Sequence, residues 1–129
     1  MKFKYLIILF ISCSLKDVNV YYDYYENGNI RTEITKIAGK LDGVSKYYDQ
    51  NSNLINSVNY HQNILHGLWE EFYKDGTMKY KVNYLYGKKN GSEIWFYPNG
   101  KVKSETIYKN GDILYETLRW DSSGNVIYK

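Results

Sequence analysis

The sequence predicts an all-β protein, an elongated single-layer antiparallel β-meander of about ten strands built from stacked β-hairpin repeats of 24 residues. Composition is one reason, because the 129 residues include sixteen Tyr and a single Pro, and aromatic residues favour strands. A second reason is that Gly43, Gly67 and Gly91 recur at a spacing of 24 residues. A third is a set of tripeptides ending in Gly, such as "KDG" and "PNG", which are typical of hairpin loops.

The first twelve residues differ from the rest and predict a secretory signal. Two lysines in "MKFK" precede an apolar run from Tyr5 to Ile11, which is too short to span a bilayer as a helix. The only cysteine, Cys13, follows directly. The segment resembles a bacterial lipoprotein signal, although Phe10 stands where such signals usually have Leu. An apolar first strand with a coincidental cysteine is the alternative.

The lipoprotein resemblance has consequences for location. It implies cleavage after residue 12, lipidation of Cys13 and a short tether over residues 13–18. The expected location is the cell envelope, with Ser14 pointing to the outer membrane if the cell has two membranes. If the resemblance is misleading, the expected location is the cytoplasm.

Residues 19–129 predict one repeat domain, because equivalent positions agree in type at 24-residue intervals. The units are 19–42, 43–66, 67–90, 91–114 and a truncated 115–129. One position in each unit is aromatic: Tyr24, Tyr48, Phe72, Phe96 and Trp120. Four positions later, every unit except the second has a turn glycine: Gly28, Gly76, Gly100 and Gly124.

Loop length predicts which side chains share a face. Three-residue loops ending at a residue of positive φ place Phe72 opposite Met78. If the second loop of each unit, such as "LYG", also has three residues, alternate positions all along the chain face the same way. The expected aromatic and aliphatic face comprises Tyr24, Ile30, Ile34, Tyr48, Leu54, Val58, Tyr60, Phe72, Met78, Val82, Tyr84, Phe96, Val102 and Tyr108.

These units, with their leading Gly, central aromatic and "NG"-type turns, resemble MORN-type repeats. More narrowly, they are similar to the bacterial repeats of the YwqK-like antitoxin family. The resemblance covers residues 19–129 and implies a repeat sheet that binds partners, but it does not specify the partner. Ser52 departs from the pattern at the turn glycine of the second unit, and a lipoprotein-like leader would be unexpected in a cytosolic antitoxin.

Catalytic chemistry is not predicted. His61 and His66 are the only histidines, flank a turn, and lack the further ligands that a metal site requires. Without the first twelve residues the chain has a net charge of +1, which does not suggest nucleic-acid binding. We therefore expect neither an enzyme nor a cofactor, and no small-molecule substrate is evident.

The leading functional hypothesis is a lipid-anchored protein-binding module. The predicted register places large aromatics on the second, mostly polar face, and Trp and Tyr often anchor interfaces. The partner-binding candidates are Tyr25, Trp69, Tyr73, Trp95 and Tyr97. The structural alternative is that lysine stems cover the indoles, since the same register sets Trp69 opposite Lys81 and Trp95 opposite Lys103. The functional alternative is an antitoxin or immunity protein that neutralises a toxin by direct binding.

Overall fold

The computed structural model describes residues 17–127. Within that range the chain forms a single open antiparallel sheet whose nine strands lie side by side in sequence order, as the predicted meander requires. An isolated bridge between Trp120 and Val126 continues the pattern beyond the last strand. The strands are β1 (Val18–Tyr24), β2 (Ile30–Ile37), β3 (Lys40–Tyr48), β4 (Leu54–His61), β5 (Ile64–Phe72), β6 (Met78–Leu85), β7 (Lys88–Phe96), β8 (Val102–Lys109) and β9 (Asp112–Arg119).

The first loop of each unit has three residues, as the sequence predicts. In the third unit the Tyr73 amide donates to the Thr77 carbonyl at 2.8 Å, and the Gly76 amide donates to the Tyr73 carbonyl at 2.9 Å. Gly76 adopts a φ of 83°, and Ser52 adopts a φ of 67° at the equivalent position of the second unit. The left-handed residue closes the hairpin, and this residue is Gly in every unit except the second, where it is Ser52.

The second loop of each unit is shorter than predicted. Leu85 pairs directly with Lys88, so only Tyr86 and Gly87 lie in the loop. Both have positive φ, at 47° and 81°, which is the conformation of a two-residue type I′ turn. The same arrangement occurs at Ala38–Gly39, Gln62–Asn63 and Asn110–Gly111.

A β-bulge next to each three-residue loop overturns the predicted single face. Phe72 pairs with Met78 as expected, but Glu71 then pairs with Tyr80, so Lys79 is an extra residue on β6. One extra residue exchanges the faces for the rest of the strand. Equivalent shifts occur at Tyr24, Tyr48 and Phe96.

The predicted aromatic and aliphatic set is therefore divided between the two faces. Its strand-interior members share what we call the core face with Trp69 and Trp95: Ile34, Val58, Tyr60, Val82, Tyr84 and Tyr108. Its members beside the three-residue loops lie on the opposite face: Tyr24, Ile30, Tyr48, Leu54, Phe72, Met78, Phe96 and Val102.

The core face holds most of the buried side chains. A continuous row of directly paired residues crosses it, and Val82, at its centre, is 0% exposed. This row consists of Tyr21, Ile34, Ser45, Val58, Trp69, Val82, Glu93 and Thr106. The opposite face carries a row of charges, in which Glu70 lies between Ser57 and Lys81. The expectation that the face bearing Trp69 and Trp95 is the polar one is thus wrong.

Candidate partner-binding site

Trp69 is built into the sheet. It pairs with Val58 on one side and with Val82 on the other, which replaces the predicted pairing with Lys81. Its ring lies 6.1 Å from that of Tyr84. Its indole nitrogen is buried and has no hydrogen-bond partner among the described residues. These contacts give Trp69 a packing role at the centre of the core face.

Trp95 lies in a more open position on the same face. It pairs with Ser104 rather than with the predicted Lys103. One side of its indole contacts the ring of Tyr80 at 4.3 Å between centroids. Trp95 nevertheless remains 39% exposed. A large aromatic held in place on one side and accessible on the other can serve as an anchor for a ligand.

Three of the predicted binding residues, Tyr25, Tyr73 and Tyr97, join neighbouring hairpins. Each hydroxyl donates to the backbone carbonyl at the end of the next hairpin's first strand. The Tyr25 bond to Tyr48 is 2.7 Å, the Tyr73 bond to Phe96 is 2.8 Å and the Tyr97 bond to Trp120 is 2.9 Å. The three phenols therefore have a structural role, and whether their rings also contact a partner stays a prediction.

The predicted repeat positions lie where the loops require them. Tyr24, Tyr48, Phe72 and Phe96 each end the first strand of a hairpin, and Trp120 occupies the equivalent place in the isolated bridge. Gly28, Gly76, Gly100 and Gly124 all have φ between 80° and 93°. Cys13 and the predicted signal lie outside the described residues.

A buried cluster of polar side chains around Glu93, a member of the central row, was not foreseen from the sequence. The Glu93 carboxylate accepts hydrogen bonds from Tyr80 at 2.7 Å and Tyr108 at 3.1 Å, and it pairs with Lys89. Burial raises the pKa of Glu93, but hydrogen bonds from Lys89 and Tyr80 outweigh this effect and leave the pKa below its usual value. Burial and the bond to Glu93 raise the pKa of the Tyr80 hydroxyl. Only the lysine four residues before Glu93 was a sequence signal for this site.

A cavity of about 500 Å³ opens beside Trp95, at the end of the sheet nearest β9. We call it the Trp95 cavity. It brings the predicted candidates Trp95 and Tyr97 together with residues that the sequence did not mark for binding. Its lining comprises Trp95, Tyr97, Lys103, Ser104, Arg119, Trp120 and Ile127.

The Trp95 cavity combines aromatic surface with positive charge. The Lys103 ammonium lies 5.7 Å from the centre of the Tyr97 ring, a cation–π distance. Neither Lys103 nor Arg119 forms an ion pair with an acidic side chain within residues 17–127. The nearby Asp121 carboxylate accepts hydrogen bonds from the amides of Ser123 and Asn125 in its own turn.

In the part of the chain that the structure describes, no helix has the length and apolar character needed to cross a membrane.

Comparison with known proteins gives one family match. A family model described as MORN repeat variant matches four segments, residues 18–35, 41–62, 65–86 and 89–110, which together make up more than half of the chain. Each segment after the first begins in the first strand of a hairpin and ends in the two-residue turn that precedes the next one. No curated protein gave a significant match.

Proposed function

The chain belongs to the MORN repeat variant family, and on that premise we propose that it is a non-enzymatic protein-binding module, lipid-anchored in the bacterial cell envelope. Repeat sheets of this kind present a long surface whose individual units can diverge for binding while the turns and pairing stay the same. The repeats therefore supply a scaffold on which a binding site is assembled.

The Trp95 cavity is the observation that carries this proposal. Interfaces are enriched in Trp, Tyr and Arg, and residues of these types in well-packed pockets contribute much of the binding energy. Trp95 and Tyr97 are both held by the sheet, one by Tyr80 and the other by the Trp120 carbonyl. Such preorganised anchors lose little conformational entropy when a partner binds.

The binding role is tested by replacing the exposed anchor. We expect Trp95→Ala to abolish capture of the partner by the immobilised chain while circular dichroism still shows a folded sheet. Tyr86→Ala is the matched control, because Tyr86 is 66% exposed and lies in a two-residue turn outside the cavity. Equal capture by the wild type and by a folded Trp95→Ala variant would refute binding at this site.

The lipid anchor rests on the leader and Cys13. Each buried methylene of an acyl chain contributes about 0.8 kcal/mol, so more than one chain gives stable membrane attachment. We expect mass spectrometry of the native protein to find a lipid-modified cysteine as the first residue, in the membrane fraction. An unmodified chain beginning at Met1 in the soluble fraction would refute the anchor.

An antitoxin role is the second candidate, supported by the similarity of the repeat units to the YwqK-like antitoxins. In that case the partner would be a toxin whose active surface the sheet covers. The neighbouring genes separate the two candidates: a toxin gene next to this one favours the antitoxin, whereas an envelope assembly gene favours the anchored module. Loss of toxin neutralisation in Trp95→Ala would place both roles on the same surface.

A further inference from the structure

The hairpins of the first and third units each contain an ion pair on the core face. Arg31 pairs with Asp23 in the first unit, and Lys79 pairs with Glu71 at 3.2 Å in the third. The base in each pair is the extra residue of the bulge, and the acid is the last-but-one residue of the preceding strand. At these two bulges the charge is neutralised within the hairpin.

The fourth unit retains the base and lacks the acid. Lys103 is its bulge residue, and Trp95 stands in the place of the acid. At the same place in the following hairpin stands Arg119, which pairs with Ser104 across from Trp95. Two cations therefore line the Trp95 cavity, and neither has an acidic side-chain partner among residues 17–127.

A single small residue accounts for the space. Tyr80 occupies the position of the third unit that corresponds to Ser104, and its ring packs against Trp95. Ser104 leaves the other side of the indole uncovered, and the cavity lies there. Beside Trp95, the fourth unit thus differs from the third in the size of the side chain, Ser104 instead of Tyr80, and in having a bulge lysine without an acidic partner among the described residues.

We infer that the Trp95 cavity binds an acidic segment of a partner protein, an assignment that rests on the proposed protein-binding function. An apolar or aromatic side chain of the segment lies against the aromatic walls. A neighbouring Asp or Glu carboxylate lies beside Lys103 and Arg119, where the guanidinium can donate two parallel hydrogen bonds. The ligand completes the ion pairing that the hairpin itself completes in the first and third units.

The neighbouring sheet edge favours a peptide over a free anion. Within residues 17–127, β9 pairs with β8 on one edge. No named strand pairs with its other edge, where the Arg119 carbonyl accepts a hydrogen bond from the Ile127 amide at 2.8 Å. Arg119 is its last residue, so an extended segment that adds to this edge before Arg119 would end beside the cavity. The strand contains no Lys and no Pro, residues that commonly protect an exposed edge from pairing.

The test uses the full chain and a defined peptide, Asp-Glu-Phe-Asp-Glu with blocked ends. The protein has three tryptophans, so nuclear magnetic resonance follows three indole N–H signals. We expect the peptide to shift those of Trp95 and Trp120 and to leave that of Trp69 unchanged. The peptide Asn-Gln-Phe-Asn-Gln should bind at least about five-fold more weakly, because each lost charge pair reduces the affinity. Equal binding of both peptides, or an equal shift at Trp69, would overturn the inference.

Two variants test the cavity itself. Ser104→Tyr introduces the residue of the third unit, fills the space beside Trp95 and should abolish binding in a folded protein. Arg119→Gln should weaken binding about five-fold. Lys79→Gln, at the bulge position of the third unit, is the control and should leave the affinity unchanged. Undiminished binding of the acidic peptide by Ser104→Tyr would overturn the inference. The inference would also be overturned if the wild-type protein bound phosphatidylglycerol vesicles more tightly than it bound the acidic peptide.

Failure of this inference can be distinguished from failure of the proposed function. If Ser104→Tyr still captures the protein partner of the wild-type chain, the protein-binding role stands and the acidic-segment site is refuted. If the acidic peptide binds as expected but the chain captures no protein, the cavity assignment stands and the proposed function fails.

Discussion

The carboxylate of Glu93 connects three strands of the sheet at the level of a single residue. Glu93 lies on β7 and accepts hydrogen bonds from Tyr80 on β6 and Tyr108 on β8, while Lys89 pairs with it from its own strand. A buried carboxylate stabilises a protein only when its partners compensate for the lost hydration. Here one charge partner and two hydroxyls provide that compensation.

Replacing Glu93 should weaken the sheet in a pH-dependent way. Its pKa is lowered in the folded protein, so its contribution to stability is complete above the unfolded-state pKa of about 4.3 and is lost as the pH falls through the folded-state value. Glu93→Gln should lower the free energy of unfolding by about 1–3 kcal/mol at pH 7, and by less at pH 3. Denaturant titrations at both pH values measure this, with Glu26→Gln in an exposed turn as the control. A loss that does not change with pH would contradict the assignment.

The hairpin is the repeated element, and its two turns require different numbers of residues with a left-handed backbone conformation. The three-residue loop requires one left-handed residue, whereas the two-residue loop requires two. At Gly76 the requirement is met by Gly, with φ at 83°. At Ala38 a residue with a Cβ adopts a φ of 49°, which is costly for most side chains and less so for Asn.

Exchanges at these two turns should therefore change stability in opposite directions. Gly76→Ala should lower the free energy of unfolding by about 1 kcal/mol, although a Cβ there would meet no heavy atom within 4 Å. Ala38→Asn should raise it by about 0.5–1 kcal/mol. Thermal unfolding of both variants measures the signs. A lower free energy of unfolding in Ala38→Asn would show that the left-handed conformation of residue 38 does not limit the stability of this turn.

The sequence predicts the hairpins better than it predicts their faces. Glycines and Asn-Gly pairs have specific backbone preferences, so the three-residue turns and the pairing of Phe72 with Met78 could be derived, whereas the length of the second turn was not. The bulge at Lys79 has no such marker, because any residue can be the extra one. The open site beside Trp95 depends on that bulge and on a contrast between Ser104 and Tyr80, which acquires meaning only when the register is known.

At the scale of the whole molecule, residues 17–127 form a sheet in which the principal contacts of each strand are with the strands before and after it. Stability in such an array is approximately a sum over repeats and the interfaces between them. Burial is greatest near the middle, where Val58, Tyr80 and Val82 form the apolar core. On β9 every residue except Thr117 is exposed.

Local stability should consequently fall from the middle of the sheet towards β9. Val82→Ala should cost about 2–3 kcal/mol, since two buried methyl groups are lost from a fully covered site. Ile113→Ala should cost less than about 0.5 kcal/mol, because that side chain is 61% exposed. Native-state hydrogen exchange should show slower exchange for amides of β5 and β6 than for those of β9. Equal exchange rates for the amides of β5, β6 and β9 would contradict the view that stability is a sum over repeats.

The unbroken neighbour order of the strands also has a kinetic consequence. Every pair of neighbouring strands closes a loop of about twenty residues or fewer, so the contact order is low. Most β-proteins fold slowly because they pair strands that are distant in sequence, and this sheet has no such pairs within residues 17–127. A hairpin can form as soon as both of its strands have left the ribosome or, for an exported chain, the membrane channel, and each later hairpin docks on an edge that is already ordered. Refolding should accordingly be fast for an all-β chain of this size, and the sheet can assemble from β1 towards β9 as the chain emerges.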